Sequence, residues 1–321
     1  MKFGIHDVWY GNSFAARVVR VCLIPLSLLY AGGWQLYLLV YRLGFKKAKK
    51  PHTPIVCIGN LVAGGTGKTP TVVFVAQCLI ELGHSVVIGC SGYGSPRSES
   101  ATVAPVGALI AAEWGDEPTE IRELLPNVPM IVGRARVTAA ELCAKHFPNS
   151  VLLMDDGFQH MPLDKDVSII LDPATPNSLT FPAGPYRESR STGRKRADLV
   201  IPSEQFRFEF SPIRFSTAEG SPASVPTKAR VLTAIGRPDN VRKNLEAIGV
   251  TIEEFLAFPD HHLLDFDISE KPQDLPWIVT RKDWVKLRVH CKDSQSVLIA
   301  ERTASIEPSV EFKKWLTIKL G

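Results

Sequence analysis

A mostly parallel β-sheet covered by helices on both faces, followed by a second, smaller α/β unit, is the fold class this sequence predicts. Three observations carry it. Short segments rich in Val and Ile recur between residues 55 and 201 and are apolar at every position, as strands buried on both faces must be. Helical stretches separate several of them, the alternation that builds a parallel sheet. The 321 residues exceed one ordinary domain and suit two. A hydrophobic fraction of 45% with 22% charged residues excludes wholesale disorder, and 23 Gly with 24 Pro in no repeat exclude a collagen-like chain. The balance of 37 basic against 33 acidic residues leaves +4, too mild a charge to indicate nucleic acid. Six cysteines stand far apart with no C-x-x-C, which favours reduced thiols over a disulfide or zinc framework.

The first element lies between Arg20 and Arg42, where 21 residues carry no charge. At about 1.5 Å per residue a helix of that length covers a hydrocarbon core of roughly 30 Å. Pro25 and the Gly32-Gly33 pair predict a break, however, and basic residues flank both ends. The reading is two short apolar helices within residues 1–44, resting on the membrane rather than spanning it. The lysine run 46–50 would face anionic lipid, with Tyr30, Trp34 and Tyr37 at headgroup level. A buried helical hairpin is the alternative.

The core, residues 45–204, follows. Its strands are predicted at IVCIG (55–59), SVVIG (85–89), PMIVG (129–133), VLLMD (151–155), VSIILD (167–172) and ADLVI (197–201). Helices are predicted at 71–83 and 135–147. From residue 205 to 227 the sequence QFRFEFSPIRFS alternates around Ser211-Pro212 and predicts a two-stranded ribbon as linker. A smaller α/β domain then occupies 228–321, with strands at ARVLTAIG, PWIVT (276–280) and SVLIA (296–300) and a helix near 238–248.

Directly after the first strand comes Gly64-Gly65-Thr66-Gly67-Lys68-Thr69, and then a helix. Glycines let the backbone curl so that several N–H groups point at one anion, aided by the helix N-terminus. Lys68 would reach the β/γ-phosphates and the Thr69 hydroxyl would ligate Mg²⁺. The loop departs from G-x-x-x-x-G-K-[ST] only at its first position, Val62. The sheet is therefore expected to be P-loop NTPase-like and to bind a nucleoside triphosphate.

Such a site needs an acid at a strand's C-terminal end, where open parallel sheets bind ligands. Asp155 and Asp156 supply it, and either could hold Mg²⁺. Asp116 and Glu117 precede Pro118 at the start of a helix; an acid there is also a good N-cap. Asp260-His261-His262 has no helical zinc spacing and could equally be a surface turn.

Taken together, these segments resemble the tetraacyldisaccharide 4'-kinase family of lipid A biosynthesis. The resemblance rests on G-N-L-V-A-G-G-T-G-K-T-P (59–70), G-D-E-P (115–118), D-D-G-F-Q-H (155–160), P-A-G-P-Y-R-E (182–188), D-H-H (260–262) and T-R-K-D-W-V-K-L (280–287). It implies transfer of the γ-phosphate of ATP, with Mg²⁺, to the 4'-hydroxyl of a tetraacylated glucosamine disaccharide 1-phosphate. It further implies a monomer at the cytoplasmic face of the inner membrane.

Among site residues the resemblance implies Asp116 as general base with His261 as its partner, Lys68 as catalytic cation, and Thr69, Asp155 and Asp156 at the metal. It implies Gly64, Gly65, Thr66, Gly67, Lys68, Thr69, Glu117, Gln159 and Arg187 around the nucleotide. Where the family commonly has an arginine before G-Y-G, this chain has Ser91. A membrane ATPase switch of the MinD type is the alternative; such loops carry a lysine before the Gly pair, where Ala63 stands here. Closure of the second domain over the first is expected to bring Asp116 and His261 together.

Overall fold

The structure, a computed structural model, describes residues 4–321. Its first sheet has seven strands in the order β3-β4-β2-β5-β1-β6-β7. These are β1 (Ile55–Asn60), β2 (Ser85–Cys90), β3 (Thr102–Val103), β4 (Met130–Val132), β5 (Ser150–Asp155), β6 (Val167–Leu171) and β7 (Leu199–Ile201). All pairings are parallel except that of the edge strand β3 with β4. Every residue of β1, β5 and β6 is buried, as their unbroken apolar sequences require. Helices α3 (Lys68–Glu81), α5 (Asp116–Leu124) and α6 (Arg136–His146) follow strands of this sheet. Separate apolar clusters line its two faces, one around Val56, Val72 and Leu153, the other around Cys57, Leu152 and Tyr186.

The second lobe has strands β9 (Arg214–Thr217), β10 (Pro222–Ala223), β11 (Lys228–Thr233), β12 (Thr251–Ala257), β13 (Trp277–Thr280) and β14 (Val297–Glu301). Their order is β10-β9-β14-β13-β11-β12, with β12, β11, β13 and β14 parallel. Helices α8 (Pro238–Ala247) and α9 (Arg281–Leu287) belong to this lobe.

Two sequence expectations are corrected. The ribbon predicted around Ser211-Pro212 does not form: β8 (Arg207–Phe210) pairs with β15 (Ala304–Glu307), while β9 lies between β14 and the two-residue β10. Alternation reports a half-buried strand but not its partner, and here β8 and β9 each pair with a strand far along the chain rather than with one another. The C-terminal segment also leaves the second lobe. Ile306 and, from α10 (Ser309–Leu320), Phe312 and Leu316 are fully buried in the first lobe's core beside Phe206. The span 228–321 is therefore shared between the lobes.

The N-terminal reading changes as well. After the short α1 (Ile5–Tyr10), one continuous helix, α2 (Phe14–Arg42), runs 29 residues through Pro25 and the Gly pair. Proline in a helix interior costs about 3 kcal/mol and each glycine about 1 kcal/mol relative to Ala. Docking along one face offsets that. Ser27 Oγ donates to the Thr180 carbonyl (2.9 Å) and accepts from Ala183 N (2.9 Å), while Thr180 Oγ1 returns a bond to the Ser27 carbonyl (3.0 Å). Tyr30 donates to the Arg187 carbonyl (2.7 Å) and Trp34 to Glu188 (3.2 Å), so both polar tips are used on protein rather than headgroups. The opposite face, including Phe14, Val21, Leu28, Leu29 and Leu36, is exposed. The helix is long and apolar enough to cross a membrane.

Candidate active site

The phosphate loop leaves β1 at Asn60, whose side-chain amide donates to Thr66 Oγ1 (2.9 Å). Ala63 N donates to the Pro185 carbonyl (2.8 Å) and fixes the loop's outer edge. Gly64 and Gly67 take φ of +96° and +85°, a region costly for residues with a Cβ. Among the described residues, no backbone N–H from Gly64 to Thr69 donates a hydrogen bond within the chain. Six adjacent donors opening on a cleft form a cradle for an oxyanion. That cleft, about 660 Å³, is lined by Gly64–Thr69, Glu117, Arg136, Asp156 and Arg187 from the first lobe. Across from them stand Arg237, Asp260, His261, Lys282 and Arg302 from the second lobe and the segment after β14.

Asp155 ends β5 and Asp156 follows it, as the sequence predicts, but their environments diverge. Asp156, with φ of +55°, is held by Arg187 Nη1 at 2.8 Å and faces Lys68 Nζ at 4.0 Å. Burial pushes its carboxyl up, yet Lys68 and Arg187 outweigh burial and hold it low. Asp155 Oδ1 is buried with no hydrogen-bond partner. Burial first, then the charge of Glu117, pushes its carboxyl up to about 7. Arg136 underpins the pair: its Nη2 donates to the carbonyls of Asp155 (2.7 Å) and Asp156 (3.0 Å), and its Nη1 is buried without a partner.

Asp116 opens α5 after Gly115, whose φ is +93°. The expected N-cap role falls to Gly115; Asp116 Oδ1 accepts only from Glu117 N (2.9 Å). Its Oδ2 lies 3.0 Å from His261 Nδ1 and 3.4 Å from Lys282 Nζ. Burial pushes this carboxyl up, but the His261 hydrogen bond and the Lys282 charge outweigh it and hold it far below the usual carboxylate range. The same hydrogen bond raises His261 against the opposing effect of burial. His261 itself has φ of +63°, a strained backbone of the kind found at functional sites, and its ring packs on Tyr93. Glu123 pairs with Arg281 (3.0 Å) and Arg288 and so ties α5, which carries Asp116, to α9, which carries Lys282.

A family model described as tetraacyldisaccharide-1-P 4'-kinase (LpxK) matches residues 19–320. The chain belongs to this family. It is 29% identical to the tetraacyldisaccharide 4'-kinase of Shewanella sediminis over 92% of this chain and 93% of the relative. Identity is 33% to that of Pelobacter propionicus over 86% and 85% of the two chains. The crystal structure of the "apo" form of LpxK from Aquifex aeolicus in complex with ATP superposes with a TM-score of 0.78. That match has 25% identity and covers 94% of this chain and all of the other.

Within this family fold, one site residue predicted from sequence, Gln159, lies elsewhere, as does His262 beside the dyad histidine. Gln159 spends its amide on the Asn60 carbonyl (2.9 Å) and Glu188 (3.2 Å), supporting the loop from behind. His262 turns onto Phe258 and accepts from Leu264 N, away from the cleft. The metal set is only partly presented. Among the described residues no three His, Cys, Asp or Glu side chains cluster at metal-binding spacing, and Asp156 is already paired with Arg187 and Lys68. The orphaned Asp155 Oδ1 nevertheless fits a divalent cation, whose charge would relieve its burial, and Thr69 lies on the cleft wall.

Sequence reasoning missed Arg136, Arg237, Lys282 and Arg302. The signal was available for Lys282. It lies two positions past the end of a parallel strand, β13, the same strand-end placement that singled out Asp155. Ser91 does line the cleft, and the cations around it come from Arg136, Arg187 and Lys282 instead.

Proposed function

We propose that this cleft transfers the γ-phosphoryl group of ATP to the 4'-hydroxyl of a tetraacylated glucosamine disaccharide 1-phosphate, with Asp116 accepting the hydroxyl proton. The chain is an ATP-dependent lipid kinase of lipid A biosynthesis by family. The observation that carries the residue roles is the pairing of an unsatisfied N–H cradle with the Asp116–His261 dyad across one cleft. The free N–H groups of Gly64–Thr69 receive the β- and γ-phosphates, with Lys68 beside them. A bond forms from the 4'-oxygen to the γ-phosphorus as the bond to the β–γ bridging oxygen breaks, and ADP leaves. Asp155 and Thr69, with Glu117, would hold Mg²⁺, whose charge would offset that of the triphosphate.

A carboxylate held this low is a weak base at the start of the reaction. In a loose phosphoryl-transfer transition state the hydroxyl proton leaves late, when its oxygen has become acidic, so a weak base suffices. His261 fixes the Asp116 carboxylate and Lys282 places a cation against it. Arg187 and Arg136 sit on the opposite wall near the transferring group. A MinD-type switch would leave the His261 dyad without a task and is not favoured.

The exposed apolar face of α2 supports residence at the cytoplasmic face of the inner membrane, where the lipid's hydroxyl meets cytosolic ATP. The chain is proposed to act there as a monomer, since both walls of the cleft come from one chain. Labelled ATP, Mg²⁺ and the disaccharide lipid in detergent micelles test the reaction. Label on the lipid is expected, and label released as free phosphate would sink the kinase reading.

A further inference from the structure

A second cavity, about 680 Å³, lies between the last turns of α2 and the short helix α7 (Arg190–Arg196). It shares no lining residue with the phosphate cleft. Leu38, Leu39 and Met161 give it apolar walls, and a hydrogen bond from Gln35 to Thr192 (2.9 Å) lies at one end. The chemistry of its rim is selective. Of the basic residues on α7, Arg190 and Arg194 are spent on buried Asp172 (2.8 and 2.5 Å), and Arg196 is spent on Glu188 (2.7 Å). Lys195 and, across the groove, Arg42 form no ion pair among the described residues. Two uncompensated cations therefore stand over an apolar trough. The trough continues onto the exposed face of α2 at Leu36, Leu39 and Leu43.

We propose that this groove holds one anionic phospholipid of the bilayer, its phosphate on Arg42 and Lys195 and an acyl chain along Leu38, Leu39 and Met161. An inorganic phosphate would leave the apolar walls wet, and a neutral lipid would leave both cations without a counter-charge. The position argues against the sugar substrate. Along α2 the contacts run from Tyr30 to Arg187 beside the phosphate cleft, then to Thr192, and the groove begins where they end. The lipid would pin the C-terminal end of α2 to the bilayer and so set the height of the Arg187 loop above it. The proposal rests on the membrane reading given above.

Flotation of the full chain with vesicles tests it, using phosphatidylcholine alone and phosphatidylcholine mixed with phosphatidylglycerol. The wild type should bind both and gain roughly tenfold from the anionic lipid, on the scale of two cations at a charged surface. Arg42→Gln/Lys195→Gln should lose that gain while keeping phosphatidylcholine binding and kinase activity in micelles. Lys46→Gln/Lys47→Gln removes equal charge outside the groove and should keep most of it. Equal losses in the two double variants would overturn the groove in favour of diffuse attraction. Wild-type binding with no gain from phosphatidylglycerol would overturn the groove and leave the membrane reading standing; binding to neither vesicle would overturn both. Native mass spectrometry of detergent-extracted protein should show one phosphatidylglycerol retained by the wild type and none by Arg42→Gln/Lys195→Gln. Displacement of that lipid by the disaccharide substrate would make the groove a substrate subsite and overturn the proposal.

Discussion

The two walls of the active cleft meet at the C-terminal ends of the parallel strands of two sheets, yet they are built from different materials. The first-lobe wall is largely backbone: six free N–H groups in consecutive residues, with Lys68 and Arg136 behind them. The second-lobe wall is side chains, with Arg237, His261 and Lys282 drawn from the ends of three different strands. Backbone donors are fixed by glycine conformations and cannot titrate, so they suit holding a phosphate that is present throughout. Side chains carry charge that responds to a neighbour, so they suit tuning a carboxylate across the gap. The difference teaches that the first lobe can hold a phosphate by its own backbone, whereas Asp116 of that lobe takes the partners that set its charge, His261 and Lys282, from the second.

The largest effect that sharpens this comparison is expected from Asp116→Asn. It should lower kcat by about 10²–10⁴-fold, the usual range for a general base, while ATP binding stays near wild type. Phosphorylated lipid and nucleotide affinity, measured side by side, check it. A matching loss of ATP affinity would break the comparison. Lys68→Met should do the reverse in kind, weakening ATP binding and lowering kcat/KM by about 10²–10³-fold.

His261→Ala is expected to cost less in rate at neutral pH and to move the pH profile. His261 helps hold Asp116 low, so its removal raises the Asp116 pKa, and the acid limb of kcat should shift toward neutral pH. An unchanged acid limb would separate Asp116 from the base role. The smallest expected effect is on stability. The Asp155 carboxyl is raised to about 7 in the fold against roughly 4 when unfolded, so folding stability falls as pH rises through that window. Asp155→Asn should therefore raise the melting temperature of the nucleotide- and metal-free protein at pH 8 by several degrees and hardly at all at pH 4. It should also lower activity, the trade between stability and function that a buried unpaired carboxylate represents.

Much of the first wall was legible before folding. Gly64 to Thr69 lie in one run between a strand and a helix, and local sequence dictates both their conformation and their use. Asp155 was legible because an acid closing an apolar run marks the C-terminal end of a buried strand. Lys282 was not singled out, although it too follows a strand, because one lysine after a strand is common and its partner Asp116 is 166 positions away. Gln159 misled for a related reason: an amide beside a catalytic motif bonds whatever carbonyl is nearest, and that was Asn60. Pro25 misled because local propensity counts lost hydrogen bonds but not the docking that returns them at Ser27.

The sequence by itself determined the parallel sheet, the phosphate loop and the apolar character of the N-terminus, since each follows from residues within a few positions of one another. Only the tertiary structure decided that β8 pairs with β15, that α10 returns to the first lobe, and that α2 runs unbroken. It alone decided that Asp116 faces His261 and Lys282. These are long-range pairings in which many partners of similar local quality compete, and the winner is set by how much apolar surface and how many polar groups the whole chain can satisfy at once.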